Sequence, residues 1–191
     1  ELDRRGINWA WVNADAIESG RVGVDTLPAS GGRYRTLLLP DVEAMDQSTL
    51  RDLAELAAAG AAVYVAGSLP DRQPGFNQAQ QGDREVQALA QQLLASGAQQ
   101  VPMAPKALAD AVQGGLQQAV SYGKASNIRN YRRDLGDGGH IYLFANQSAN
   151  EEAVKLQVNG LQPLWWFDAL QGVSWPADNT DGEIDLHLSG F

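Results

Sequence analysis

Residues 34–67 constrain the fold of this chain more than any other stretch. Tyr34-Arg-Thr-Leu-Leu-Leu-Pro40 is a short apolar run, and Ala61-Ala-Val-Tyr-Val-Ala-Gly67 is a second. Consecutive apolar residues of this length suit strands buried on both faces, the usual state of a parallel sheet covered by helices. Parallel neighbours need a crossover between them. The intervening residues supply one, with Leu50, Leu53, Ala54 and Ala57 at helical spacing. This helix opens near Asp46 and closes at Gly60, a residue type that ends helices by adopting positive φ. Strand, helix and strand form a right-handed βαβ unit, and the first half of the chain is α/β.

The flanking segments extend that grammar. Ile7-Asn-Trp-Ala-Trp-Val12 reads as a strand before it, followed by Asn13 and Asp15 as caps of a short helical turn. Arg21 to Leu27 reads as an extended ribbon closed by a Gly31-Gly32 turn. Ser68 to Gly82 carries two prolines and two glycines and is about as long as structureless loops become inside a domain. Asp83 suits the cap of a helix with Val86, Leu89, Ala90 and Leu93 on one face and Gly97 at its end. A strand over Gln99 to Val101 follows, and Pro105 opens one more helix.

From Ile128 onward the helical period disappears. Ile128 to Asp134 and His140 to Asn146 flank Gly136-Asp-Gly-Gly139, a hairpin whose tip needs residues that tolerate positive φ. Val154 to Val158, Pro163 to Phe167, Val173 to Trp175 and Ile184 to Leu188 are further short strands between turn signals. The expectation is an α/β domain, flavodoxin-like with a mostly parallel sheet, over residues 1–125. A small antiparallel β-sandwich portion over residues 126–191 follows it. The chain starts at Glu1, and its final strand runs almost to Phe191, so it reads as a piece of a longer protein.

Composition narrows the function classes. A net charge of −9 argues against non-specific binding to nucleic acid or to an anionic membrane face. No apolar run approaches the roughly 20 residues needed to span a bilayer. The absence of cysteine removes disulfides, thiolate metal sites and a Cys nucleophile. His140 and His187 fall on separate strands with no second ligand at metal spacing, and no phosphate-binding loop or nucleophile elbow occurs. Metal ligands and cofactor sites are therefore expected to be none.

Two groups of residues remain as candidates. Asp41 follows a buried strand at its carboxyl end, where open α/β sheets bind ligands, and Glu43 stands beside it as a second carboxylate of the kind glycosidases pair. The simpler alternative is that Asp41 braces the turn and Glu43 is solvated. Five tryptophans form the other group, of which Trp165, Trp166 and Trp175 lie on the late strands. Adjacent strand positions face opposite sides, so Trp165 and Trp166 cannot both fill one core. One of them covers either another domain, where aromatic residues are enriched, or a carbohydrate. Arg129 and Arg133 share a strand face with Tyr131 and read as a solvated or interdomain salt-bridging face.

Several of these pieces together resemble a known family. Val12-Asn-Ala-Asp-Ala-Ile17, Tyr34-Arg-Thr-Leu-Leu-Leu-Pro-Asp41 and Ala58-Ala-Gly-Ala-Ala-Val63 resemble the glutamine-amidotransferase-like domain that follows the catalytic barrel in large bacterial glycoside hydrolases. Asp83-Arg-Glu-Val86, Tyr131-Arg-Arg-Asp-Leu-Gly-Asp137, His140-Ile-Tyr-Leu-Phe-Ala-Asn-Gln147 and Leu164-Trp-Trp-Phe-Asp168 with Gly172 are similar to the α-L-rhamnosidase pattern in particular. The resemblance implies a non-catalytic accessory fragment whose partner is the catalytic barrel of the same parent chain, in a periplasmic or secreted setting. It leaves two alternatives, a carbohydrate-binding module using exposed Trp and a homo-oligomerisation domain like those of β-galactosidases. The amidotransferase ancestor's Cys nucleophile has no counterpart here, so glutaminase activity is excluded.

Overall fold

The computed structural model describes residues 1–18, 36–114, 116, 120–122, 127–136, 138–160, 163–178 and 182–190. The expected ribbon over Arg21 to Leu27, its Gly31-Gly32 turn and the domain boundary near residue 125 lie outside these residues. The chain divides into two compact units, Ala10–Leu116 and a second made of Glu1–Trp9 with Gln117–Phe191. The architecture is mixed α/β, with one parallel sheet and several small antiparallel ones.

The first unit contains α1 (Ala14–Glu18), β1 (Thr36–Pro40), α2 (Gln47–Ala58), β2 (Ala62–Ala66), α3 (Ala79–Ala95), β3 (Gln99–Val101) and α4 (Pro105–Gly114). β1, β2 and β3 form a parallel sheet in chain order, with Leu37 opposite Val63 and Val65 opposite Gln100. Each crossover ends in the same way. Gly60 at φ 98° and Gly97 at φ 113° follow α2 and α3. There Ala61 N donates to Leu56 O and Ala98 N to Leu93 O, closing the last turn of each helix. Leu50, Leu53, Val63, Val65, Val86 and Leu93 are almost fully enclosed between sheet and helices.

Helix α3 begins at Ala79, one turn before the expected cap at Asp83. Asp83 instead accepts from Gln73 N at 3.0 Å, while Gln73 Nε2 donates to the carbonyls of Gly75 and Asn77. The carboxylate holds the long loop down rather than starting the helix. Gly82 lies against the Gln73 amide, where a Cβ would collide with it, which explains a glycine inside a helix.

The second unit contains β4 (Val120–Tyr122), β5 (Ile128–Asp134), β6 (His140–Asn146), β7 (Glu152–Val158), β8 (Trp165–Asp168), β9 (Val173–Pro176) and β10 (Glu183–Leu188). β7 pairs antiparallel with β10 on one side and with β4 on the other, while β5–β6 and β8–β9 are separate hairpins. One cluster joins all three sheets, built from Val120, Tyr122, Ile128, Leu156, Val158, Ile184 and Leu186. Tyr142, Phe144 and Trp166 pack against it.

The expected strand over Ile7 to Val12 does not form, and residues 7–13 have no regular structure. Ile7 is buried, but Trp9 and Trp11 are exposed, so the alternation that suggested a strand has no buried face to serve. Side chains of the β unit hold this segment instead. Asn130 Nδ2 donates to Gly6 O at 3.1 Å, and Asn8 Nδ2 donates to Asn130 Oδ1 at 2.6 Å. Tyr122 Oη donates to Asp3 O at 3.2 Å.

Candidate functional site

The carboxyl edge of the parallel sheet carries Asp41 and Glu43. Asp41 sits directly after β1 with φ 44°, a left-handed conformation that aspartate tolerates better than most residues. Its N–H donates to Ala66 O at 2.8 Å, and its Oδ1 accepts from Ser68 N at 3.0 Å. Gly67 has φ 82°, and a Cβ there would lie 2.6 Å from Asp41 Oδ1. Gly67 N in turn donates to Val101 O, and Gln100 Nε2 to Gly67 O. The Asp41 carboxylate is thus a bolt across the ends of β1 and β2.

Glu43 is built into the next turn. Its carbonyl accepts from the N–H groups of Asp71 and Arg72, and its carboxylate faces Arg72 Nη2 at 3.4 Å. That Arg72 also pairs with Asp71 at 3.2 Å. The hydrogen bond that Arg72 donates to the Asp71 carboxylate, with the charges of Asp71 and Glu43, raises the guanidinium above its ordinary value. Ligand crevices in open α/β sheets form where strand order reverses. The described strands run β1-β2-β3 with no reversal, and the expected strand that could have supplied one is absent.

Elsewhere the described residues offer little for acid–base or metal chemistry. None of them form a group of three or more His, Asp or Glu able to hold a metal. A shallow groove of about 250 Å³ between α2 and α3, lined by Arg51, Glu55, Leu89 and Gln92 among others, contains a single carboxylate. His140 lies beside Arg132 on the β5–β6 hairpin, and His187 lies 3.8 Å from Glu151, so the two imidazoles serve different sheets. No helix among the described residues is long and apolar enough to cross a membrane.

The late strands sort the tryptophans by face. Trp165 pairs with Pro176, Trp166 with Trp175, Phe167 with Ser174 and Asp168 with Val173. Cross-strand partners share a face and neighbours alternate. Trp166 packs against the core cluster, whereas its cross-strand partner Trp175 is 47% exposed. Trp165 and Phe167 look the opposite way and are 60% and 67% exposed. Asp168 Oδ1 accepts from Leu170 N and Gln171 N and fixes the hairpin turn. The three tryptophans named from the sequence do not form one surface. Phe167, not among the candidates, stands beside Trp165, and its position two residues along the strand was the available signal.

The β5–β6 hairpin has a comparable outer face. Ile128 and Phe144 point to the core, so Arg129, Tyr131, Arg133, Ile141 and Leu143 point away from it. Tyr131 is exposed opposite Leu143, and Arg129 Nε is 3.6 Å from Asp3 Oδ2.

The glycoside hydrolase 106 family model, alpha-L-rhamnosidase, matches residues 4–175. The chain belongs to this family. No curated protein and no solved structure matches it. The rhamnosidase match runs through both units, covering the Tyr34–Asp41 segment, the β5–β6 hairpin and Leu164-Trp-Trp-Phe-Asp168. It gives the chain a glycoside hydrolase origin. At the sheet edge the Asp41 carboxylate accepts from Ser68 N, and the exposed Glu43 carboxylate faces Arg72.

Proposed function

We propose that this chain is a non-catalytic accessory portion of an α-L-rhamnosidase-like glycoside hydrolase. The observation that carries the reading is the engagement of Asp41, whose carboxylate closes the sheet edge through Ser68 N instead of pointing into a crevice. Glycoside hydrolysis needs two carboxyl groups facing one another across a scissile bond. The Asp41 carboxylate is bonded to Ser68 N, the Glu43 carboxylate faces Arg72, and the α2–α3 groove offers Glu55 alone. The acid and the base or nucleophile then belong to a catalytic barrel of the same parent protein, which is this chain's partner. A barrel of that type takes about 250 residues, more than the 191 of this chain.

The α/β unit is, in this reading, a flavodoxin-like domain of glutamine-amidotransferase type retained as a scaffold, and the β unit is a sandwich portion. The exposed Tyr131, Ile141 and Leu143 on the outer face of β5–β6 support its use as a contact surface toward the barrel.

An assay of aryl α-L-rhamnoside hydrolysis by the purified chain tests the proposal. The expected result is no turnover above buffer, with Asp41→Asn indistinguishable from the parent. Turnover that disappears in Asp41→Asn would place a catalytic carboxylate in this chain and end the accessory reading.

A further inference from the structure

Of the asparagines in the sequence, Asn159 alone is followed by glycine. Asn159-Gly160 lies directly after β7, the central strand of the β10-β7-β4 sheet. Both residues are exposed, and Gly160 has φ 69° with nothing within 4 Å of where a Cβ would stand. Among the described residues the Gly160 N–H has no acceptor and the Asn159 side chain has no partner. Sheet pairing ends one residue earlier, at Val158, which is buried and donates its N–H to Gly182 O at 2.7 Å.

Other asparagines are held in place. Asn130 and Asn146 donate from Nδ2 to backbone carbonyls, Asn127 donates to Glu152, and Asn13 accepts from Ala16 N. A side-chain amide carbon is open to attack by the next residue's backbone nitrogen only where that nitrogen can turn toward it. A nitrogen in a ladder or a helix is committed to its own hydrogen bond. A Cβ on the following residue also crowds the approach, whereas glycine has none and rotates most freely. Asn159-Gly160 meets both requirements.

We propose that Asn159 is a site of spontaneous deamidation through a five-membered succinimide ring. The Gly160 nitrogen gives its proton to water and bonds to Asn159 Cγ. The Cγ–Nδ2 bond breaks, and Nδ2 leaves as ammonia with a proton taken back from solvent. Water then opens the ring at one of the two carbonyl carbons bonded to the Gly160 nitrogen. Opening at Cγ leaves an aspartyl residue. Opening at the main-chain carbonyl leaves an isoaspartyl residue, whose backbone runs through the side chain and is one methylene longer. Water is the co-reactant, and nothing is oxidised or reduced. Either product adds one negative charge to the −9 of the sequence. The change falls beyond the last paired residue of β7, so the sheet keeps its register up to Val158.

Incubating the purified chain in neutral buffer, with peptide mapping by mass spectrometry at intervals, tests this. The peptide holding Asn159 should gain about 1 Da, NH2 replaced by OH, at least roughly tenfold faster than those holding Asn77 or Asn150. Those two asparagines are also exposed but precede Gln78 and Glu151. Isoaspartate should appear at position 159, read by fragmentation or by methyl transfer from an isoaspartyl methyltransferase. The folded chain should react within roughly tenfold of the rate in urea, because the sheet does not hold the reacting atoms. Asn159→Gln should abolish the gain, since its ring would need one more atom, and Gly160→Ala should slow it roughly tenfold. A smaller ratio to Asn77 and Asn150, an aspartyl product without isoaspartate, or stronger protection by folding would overturn the assignment.

Discussion

At the scale of single residues, Asp41 and Gly67 depend on each other. Asp41 accepts the Ser68 N–H only because Gly67 leaves room for its carboxylate. Asp41→Ala loses that bond and puts an alanine at φ 44°, a combined cost of about 1–2 kcal/mol. Asparagine retains both the acceptor and the tolerance for this conformation, so Asp41→Asn should stay within about 0.5 kcal/mol of the parent. Gly67→Ala strains φ 82° and displaces Asp41 together, and should cost about 2 kcal/mol or more. Urea midpoints of the three variants check the order. Tyr122 is a residue of the other kind, sensitive to pH. Burial raises its phenol above the ordinary value, opposed by the hydrogen bond from Asn130 and by Arg129, with Asp3 adding to the rise. The neutral phenol is thus favoured in the folded chain. Its stabilisation is complete below the unfolded value near pH 10 and falls as pH rises from there through the higher folded value. Melting temperatures across pH 8 to 11 should fall more steeply for the parent than for Tyr122→Phe, and parallel curves would refute this.

At the scale of elements, legibility followed how local the cause was. The β5–β6 hairpin runs over Ile128–Asp134 and His140–Asn146 because alternation and a glycine-rich tip specify it within one stretch of chain. The two glycine helix ends were readable for the same reason. The start of α3 was not, because Gln78-Ala-Gln-Gln carries no cap signal and Asp83 was taken up by a loop residue ten positions away. The faces of Trp165 and Trp166 followed from strand alternation, but which face meets the core depends on β4, β7 and β10. The start of α2 is a further case. Asp46 stands at the N-cap position without a side-chain cap bond. Glu18, at the end of α1, instead accepts from Ser48 Oγ at 2.8 Å and Thr49 Oγ1 at 2.9 Å. The carboxylate lies near the positive end of α2 and satisfies Thr49, which is buried. Glu18→Ala should therefore destabilise the chain by about 1–2 kcal/mol, and Asp46→Ala by only a few tenths. Chemical denaturation of both variants compares them directly. A larger loss for Asp46→Ala would restore the capping role its sequence position suggests.

At the scale of the whole molecule, the two hydrophobic clusters share no residue. Each unit encloses its own apolar side chains, and apolar burial is the main source of cooperativity within a unit. The distribution of probes makes the consequence measurable. Helices α1 to α4 all lie in Ala10–Leu116, while Trp9, Trp165, Trp166 and Trp175 lie in the other unit. The remaining Trp11 is 82% exposed, so its surroundings change little on unfolding. Circular dichroism at a helical wavelength therefore follows the α/β unit, and Trp fluorescence follows the β unit. Urea unfolding should give two transitions that do not superimpose, because a chain with separate cores departs from two-state behaviour. Leu53→Ala, in the α/β core, should move the dichroism midpoint downward by an amount corresponding to about 2–4 kcal/mol. The fluorescence midpoint should move much less. Leu156→Ala, in the β cluster, should produce the opposite pattern. Coincident curves that shift together in both variants would mean that the units fold as one body, and the loss of either core would then be felt throughout the chain.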